Sequence, residues 1–436
     1  MDDEILCDIV SPPFLLHPPI IKHAGRIPPD VRHRLQQTWK RIGFAGRTVQ
    51  VRALHNVVVA GEGVVLRADL SFALHVQGVH APHDIAAAQA ATQAALGRGA
   101  LPRIAGEVAL CRRPGAHNYG HWLVEMLPLA FLMAERTPRP MRFMVQATEE
   151  PLASVMREGL DRIGVWQSLR IETSPEPVLV ERLLVIEGLT SHGAYVSPLI
   201  MACFDRIASG IPAGGAARIF VSRGAAPTRR LADEAGIIAR AASRGFAGIA
   251  PGEMRFSAQI SSFKGARRIT GIMGATLTNV VFAQPGAVVH ALAPAAMPDT
   301  FFYLLCALRR IRFIDVRCTH GPPLHGGAGW DGELTLDRAD EDEVFGDTPD
   351  TTLLPDVNHL FDAAYYLSRL GGMLPEGEDP LLHYCLHGWR DGLDPSPAFS
   401  TSRYLAANPG VAAADMNPLL HYVEHGLGEG RQIFQV

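Results

Sequence analysis

Arg218-Ile219-Phe220-Val221-Ser222, Phe246-Ala247-Gly248-Ile249-Ala250, Arg268-Ile269-Thr270-Gly271-Ile272, Ala287-Val288-Val289-His290-Ala291-Leu292 and Arg312-Phe313-Ile314-Asp315-Val316 are five short, mainly apolar runs. Between them, at roughly 231–244, 256–265, 276–283 and 299–310, apolar residues recur at helical spacing. Short apolar runs of this kind read as buried strands. Strands that alternate with short helices are the pattern of an open parallel sheet with right-handed crossovers. The expectation is a Rossmann-like α/β unit over residues 206–319.

Working back toward the N-terminus, 48–59 and 63–70 flank Gly61-Glu62-Gly63 and read as strand, turn and strand. Residues 87–96 are Ala-rich and read as helix, and 142–146 and 183–187 read as strands on either side of a helix at 153–165. Together they suggest a second α/β unit over 48–205. Residues 121–134 have helical spacing, with Pro128 as an expected kink. Residues 1–47 are rich in proline and are expected to be irregular.

Working forward, 320–356 is rich in Gly, Asp and Pro and reads as a linker. After it Phe361, Tyr366, His383, Tyr384, His387 and Gly388 recur, 38 residues later, as Phe399, Tyr404, His421, Tyr422, His425 and Gly426. That is a two-copy, mainly helical repeat module over 357–436. The His-x-x-x-His pairs in it have metal-ligand spacing but no companion ligands, so packing is the expected role.

Composition narrows the function classes. The chain has 436 residues, 47 % of them apolar, and a net charge of −4. Large cores are therefore available, and no basic field recruits nucleic acid. The six cysteines are scattered without zinc or disulfide spacing, as in a reducing compartment. The acidic start, Met1-Asp2-Asp3-Glu4, is unlike a secretory leader. The expected location is the cytoplasm, with contact at the inner face of a membrane left open.

Three motifs carry chemistry. In Asn118-Tyr119-Gly120-His121-Trp122-Leu123-Val124-Glu125, a helix opening at His121 brings Glu125 onto the same face one turn later. A histidine and a carboxylate so placed suit removal of a proton from a hydroxyl; a plain capping role is the competing reading. Arg223, followed by Arg229 and Arg230, lies just past the first strand of the parallel sheet. Ligands gather there in open α/β folds, and guanidinium groups suit a diphosphate. Gly274-Ala275-Thr276-Leu277-Thr278-Asn279 follows the third strand and leads into a helix, so its backbone N–H groups can approach a phosphate closely.

In order and spacing these motifs, together with Phe256-Ser257-Ala258-Gln259, resemble glycosyltransferase family 61 over roughly residues 50–300. The resemblance implies two Rossmann-like domains facing a cleft, the arrangement called GT-B, and inverting transfer from a nucleotide-sugar donor, commonly a UDP sugar. It implies no cofactor beyond that donor and no metal, and no Asp-x-Asp triplet falls within the stretch that resembles the family. On this reading Glu125 and His121 are catalytic. Arg223, Arg230, Gln259, Gly274, Ala275, Thr276, Thr278 and Asn279 bind donor, and Asn118 and Trp122 face the acceptor, which is a glycan, a lipid-linked group or a protein. The tail resembles short modules beside bacterial glycan-synthesis enzymes, which implies a bacterial surface glycan as product and glycan-assembly proteins as partners. Two positions depart from the family: Met273 stands where His is usual, and Ala258 where an acidic residue is common. A catalytically degenerate binder of glycans or nucleotides is the alternative.

Overall fold

A computed structural model describes residues 3–16, 19–41, 43–74, 80–99, 101–136, 141–224, 226, 228–323, 328–346, 360–371, 374 and 380–436. The chain is mixed α/β and is built on two seven-stranded sheets. The runs at 218–316 form the second of these. Its strands lie in the order Ala247–Ile249, Arg218–Val221, Arg268–Ile272, Val288–Pro294, Arg312–Pro323, Gly332–Thr335, and all but the last pair are parallel. The chain leaves Arg218–Val221 for one neighbour and then crosses to the other, so the order reverses at that strand. The loops after Val221 and Ile272 therefore diverge, opening a crevice at the carboxyl ends of the strands.

The first sheet runs Glu4–Ser11, Arg47–Ala60, Val178–Glu187, Arg103–Leu110, Arg142–Gln146, Arg170–Thr173, with Val64–Leu66 beside Arg47–Ala60. It is antiparallel at the end that holds the long Arg47–Ala60 strand and parallel from Val178–Glu187 onward. A single cluster of buried apolar side chains reaches from one sheet to the other through Trp122–Met133, the helix Ile200–Ala208 and the helix Phe301–Leu308.

Two stretches differ from expectation. The described part of residues 1–47 is not irregular: Glu4–Ser11 is an edge strand, Ile20–Lys22 pairs with Arg312–Pro323, and Pro29–Trp39 is a helix. The prolines sit at joints, with Pro29 in the first turn of its helix, where a missing N–H costs nothing. The stretch read as a linker carries the Gly332–Thr335 strand and the helix Arg338–Phe345, whose Val344 and Phe345 are buried against the second sheet. Asp337 caps that helix by accepting from Asp340 N at 2.9 Å. Gly and Asp there mark turns between short elements rather than open chain; 324–327 and 347–356 lie outside the described residues.

In the tail, both copies of the repeat make equivalent contacts. Tyr366 Oη meets His383 Nδ1 at 2.6 Å, and Tyr404 Oη meets His421 Nδ1 at 2.9 Å. Each tyrosine hydroxyl lies where a side chain on Gly388 or Gly426 would have to start. Gly388→Ala and Gly426→Ala are each expected to cost about 1–3 kcal/mol, the usual scale of overpacking. Denaturant unfolding checks this, and unchanged midpoints would mean the tyrosines can step aside. Among the described residues no helix is long and apolar enough to cross a membrane.

Candidate active site

The motif that holds His121 and Glu125 starts where Asn118 caps a helix, its side chain accepting from Gly120 N at 2.8 Å. Pro128, the expected kink, stands second in the helix Leu127–Arg136. Before it, Trp122–Met126 forms a π turn, continuous with that helix. The wider turn accommodates a proline that would otherwise collide with the carbonyl four residues back. Gly120 is required for close approach, because a β-carbon there would lie 2.8 Å from Thr278 Oγ1. The motif from the first sheet is thereby pressed against the turn from the second.

His121 and Glu125 stand on one face as expected, and a residue not singled out from the sequence joins them. His192, in the turn between the short strands Thr190–Ser191 and Tyr195–Val196, brings Nδ1 to 2.8 Å from Glu125 Oε1. His121 Nδ1 is 3.2 Å from the same oxygen but off the hydrogen-bond line. The two imidazoles stack at 4.5 Å and 25°, and Phe301 stacks on the far side of His192 at 4.7 Å and 23°. Thr300 Oγ1 donates to Gly193 O at 2.5 Å and ties the His192 turn to this wall.

Burial alone would raise the Glu125 pKa, but its close contact with His121, its hydrogen bond with His192 and the charge of both outweigh it and hold the group at about 2. For His192 burial lowers the pKa, and the Glu125 hydrogen bond with the charges of Asp299 and Glu125 raises it above its ordinary value. Glu125 is thus a fixed anion and His192 the group whose proton affinity it enhances. That is the division of labour in a carboxylate-oriented general base. The other His192 ring nitrogen is left for the cleft, and the side chain is 44 % exposed.

His121, Glu125 and His192 also offer three ligand atoms within 4.8 Å of one another. Binding an ion there would require His192 Nδ1 to exchange its contact with Glu125 Oε1 for a ligand bond.

The cluster lines a cleft of about 480 Å³, together with Asn118, Arg229, Gly274, Ala275, Thr278, Asp299, Phe301, Phe302 and Trp330. A second, more apolar cavity of about 560 Å³ lies beyond the turn, with Tyr119, Val155, Met254, Phe256, Gln259, Ala275 and Thr276 on its walls. Ala275 borders both, so the Gly274–Thr278 turn is the sill between them.

The other expected site residues divide. Arg223 packs behind the sill, its Cζ 2.9 Å from where a Gly274 side chain would begin. Burial, and then the charge of Arg229, lowers its pKa to about 10. Arg230 is exposed and borders neither cavity; Arg229 is the arginine in the cleft, with Nε 3.4 Å from Asp331 Oδ1. Asn279 is fully buried and structural, accepting from Tyr119 Oη at 2.7 Å and donating to Gln259 Oε1 at 3.0 Å. Trp122 is buried against Gly159 and Phe256, away from the cleft. Met273 is 1 % exposed and packs in the main core. His192 was hidden because a lone histidine beside a glycine has no periodic signal; its one clue is its place just beyond the carboxyl end of the Val178–Glu187 strand.

No curated protein matches the chain. The family model described as Glycosyltransferase 61 matches residues 119–290, and over that span, which carries His121, Glu125, His192, Arg223, Arg229 and the Gly274–Thr278 turn, the chain is similar to that family.

Proposed function

We propose that the protein transfers a sugar, with inversion, from a nucleoside-diphosphate sugar, in the first instance a UDP sugar, to a hydroxyl acceptor, and that its two sheets are the halves of a GT-B cleft. The supporting observation is the sill. Arg223 Nη1, Thr276 Oγ1 and Thr278 Oγ1 are all buried there without a hydrogen-bond partner in the protein. Leaving such groups unsatisfied costs about 1–3 kcal/mol each, a cost that an anion bound at the sill would offset. The diphosphate then lies over Gly274 and Ala275, flanked by Arg229, with the nucleoside in the apolar cavity and the sugar in the cleft beside His192.

The chemistry follows from this placement. His192 accepts the acceptor's hydroxyl proton on its free ring nitrogen while Glu125 holds the other. The acceptor oxygen attacks the anomeric carbon, and the bond to the diphosphate breaks with its electron pair on the departing phosphate oxygen. Arg229, Arg223 and the backbone N–H groups of the sill stabilise that charge. One displacement inverts the anomeric centre and needs no enzyme nucleophile.

UDP at about 100 times its dissociation constant should add roughly 2.7 kcal/mol of apparent stability. A thermal-shift panel of nucleotides at millimolar concentration tests this, and a flat response across the panel sinks the reading. EDTA should leave the UDP shift and turnover intact, because no Asp-x-Asp triplet falls within residues 119–290. Loss on chelation with rescue by manganese or magnesium would overturn the metal-free mechanism.

A further inference from the structure

Among the cleft residues that take no part in the donor reading are Trp330, Asp299, Phe302 and Met297. Trp330 is held in place on both sides. Asp331 next to it accepts from Ala328 N at 3.0 Å, and its backbone O accepts from Arg229 N at 3.2 Å. One part of the indole packs on the main core while the residue stays half-buried at the cleft. Asp299 uses Oδ1 to accept from Phe301 N at 2.8 Å, which fixes the carboxylate at the cleft wall.

We propose that Trp330 and Asp299 form a sugar-binding acceptor subsite, so that the hydroxyl receiving the transferred sugar belongs to a carbohydrate. The proposal rests on the transferase reading of this cleft. A pyranose has an apolar C–H face and a rim of hydroxyls. The negative face of an indole suits the first, and a fixed carboxylate accepts from two neighbouring hydroxyls of the second. A lipid alcohol would instead require an apolar channel for its chain, and the more apolar cavity lies on the far side of the sill. The volume of about 480 Å³ is within the range of sites that enclose small ligands. Both residues also lie outside the matched span 119–290. The donor residues thus lie inside the matched span and the acceptor contacts outside it.

Saturation-transfer NMR on the full chain with saturating UDP tests the proposal, using methyl glycosides of glucose, galactose, mannose and N-acetylglucosamine as probes. At least one should bind, with saturation strongest on the C–H protons of one ring face. Trp330→Ala and Asp299→Asn should each weaken it at least 10-fold, Trp330→Phe should retain it, and all three should keep the UDP thermal shift, which also reports that they fold. The subsite is overturned if no glycoside binds, if Trp330→Ala binds as well as wild type, or if UDP-glucose displaces the glycoside where UDP does not, since the subsite would then hold the donor's sugar. Glycoside binding through Trp330 without any UDP shift would keep the subsite and remove the transferase reading.

Discussion

Glu125→Gln is expected to lower turnover by about 10²–10⁴-fold while leaving UDP affinity within about 2-fold of wild type. Gln keeps the size of the side chain and removes the charge. With a pKa of about 2, Glu125 is too weak a base to take a hydroxyl proton near neutral pH. Its contribution is to fix the His192 ring and to favour the imidazolium as it forms, as the buried carboxylate of a catalytic triad does. The pH profile separates this from a purely structural role. His192 acts as a base only when neutral, and its pKa is raised above its ordinary value. Turnover should therefore fall as pH drops through a midpoint above ~6.5. Removing the Glu125 charge leaves burial to dominate, so in Glu125→Gln that acidic limb should move to lower pH. His192→Ala should be at least as damaging as Glu125→Gln, and His121→Ala less so. Near wild-type turnover in all three would make the cluster structural.

Arg223→Met should weaken UDP binding by about 1.5–3 kcal/mol, the scale of hydrogen bonds to a charged group. That is roughly a 10- to 160-fold rise in dissociation constant. The same change should leave the ligand-free protein no less stable, because it replaces a buried cation having an unpartnered Nη1 and a cationic neighbour, Arg229, with an apolar chain of similar length. Calorimetry for binding and denaturant unfolding for stability measure the two effects separately. A variant that binds UDP like wild type would show that Arg223 only fills the space behind Gly274.

Much of this was legible in the sequence because it depends on local pattern. The five runs between Arg218 and Val316 state their own burial and length, and parallel pairing follows from the helices between them. His121 and Glu125 share a face because helical spacing puts them there. What escaped depends on contacts between distant segments. His192 joins Glu125 across 67 positions, and Trp330 reaches the cleft from a stretch whose composition reads as open chain. Arg229 and Arg230 are neighbours, and only the left-handed backbone at Arg229 (φ 52°) accompanies the turn that puts one in the cleft and the other in solvent. Trp122 and Asn279 fit the sequence motifs as well as His121 does, yet both support the cleft from behind.

The hydrogen bonds from Tyr119 to Asn279 and from Asn279 to Gln259, with Gly120 seated against Thr278, have a consequence for anyone recombining parts of such enzymes. The two sheets look like interchangeable cassettes, one bearing the His121–Glu125–His192 cluster and the other the Gly274–Thr278 turn. A cut anywhere between residues 120 and 278 separates Tyr119 and Gly120 from Asn279 and Thr278. A hybrid whose new half brings a bulkier residue opposite Thr278, or nothing for the Tyr119 hydroxyl to meet, would hold the His–Glu cluster and the sill in different registers while each half folded normally. Parts exchanged between relatives should therefore be chosen by matching these four positions first, ahead of overall similarity.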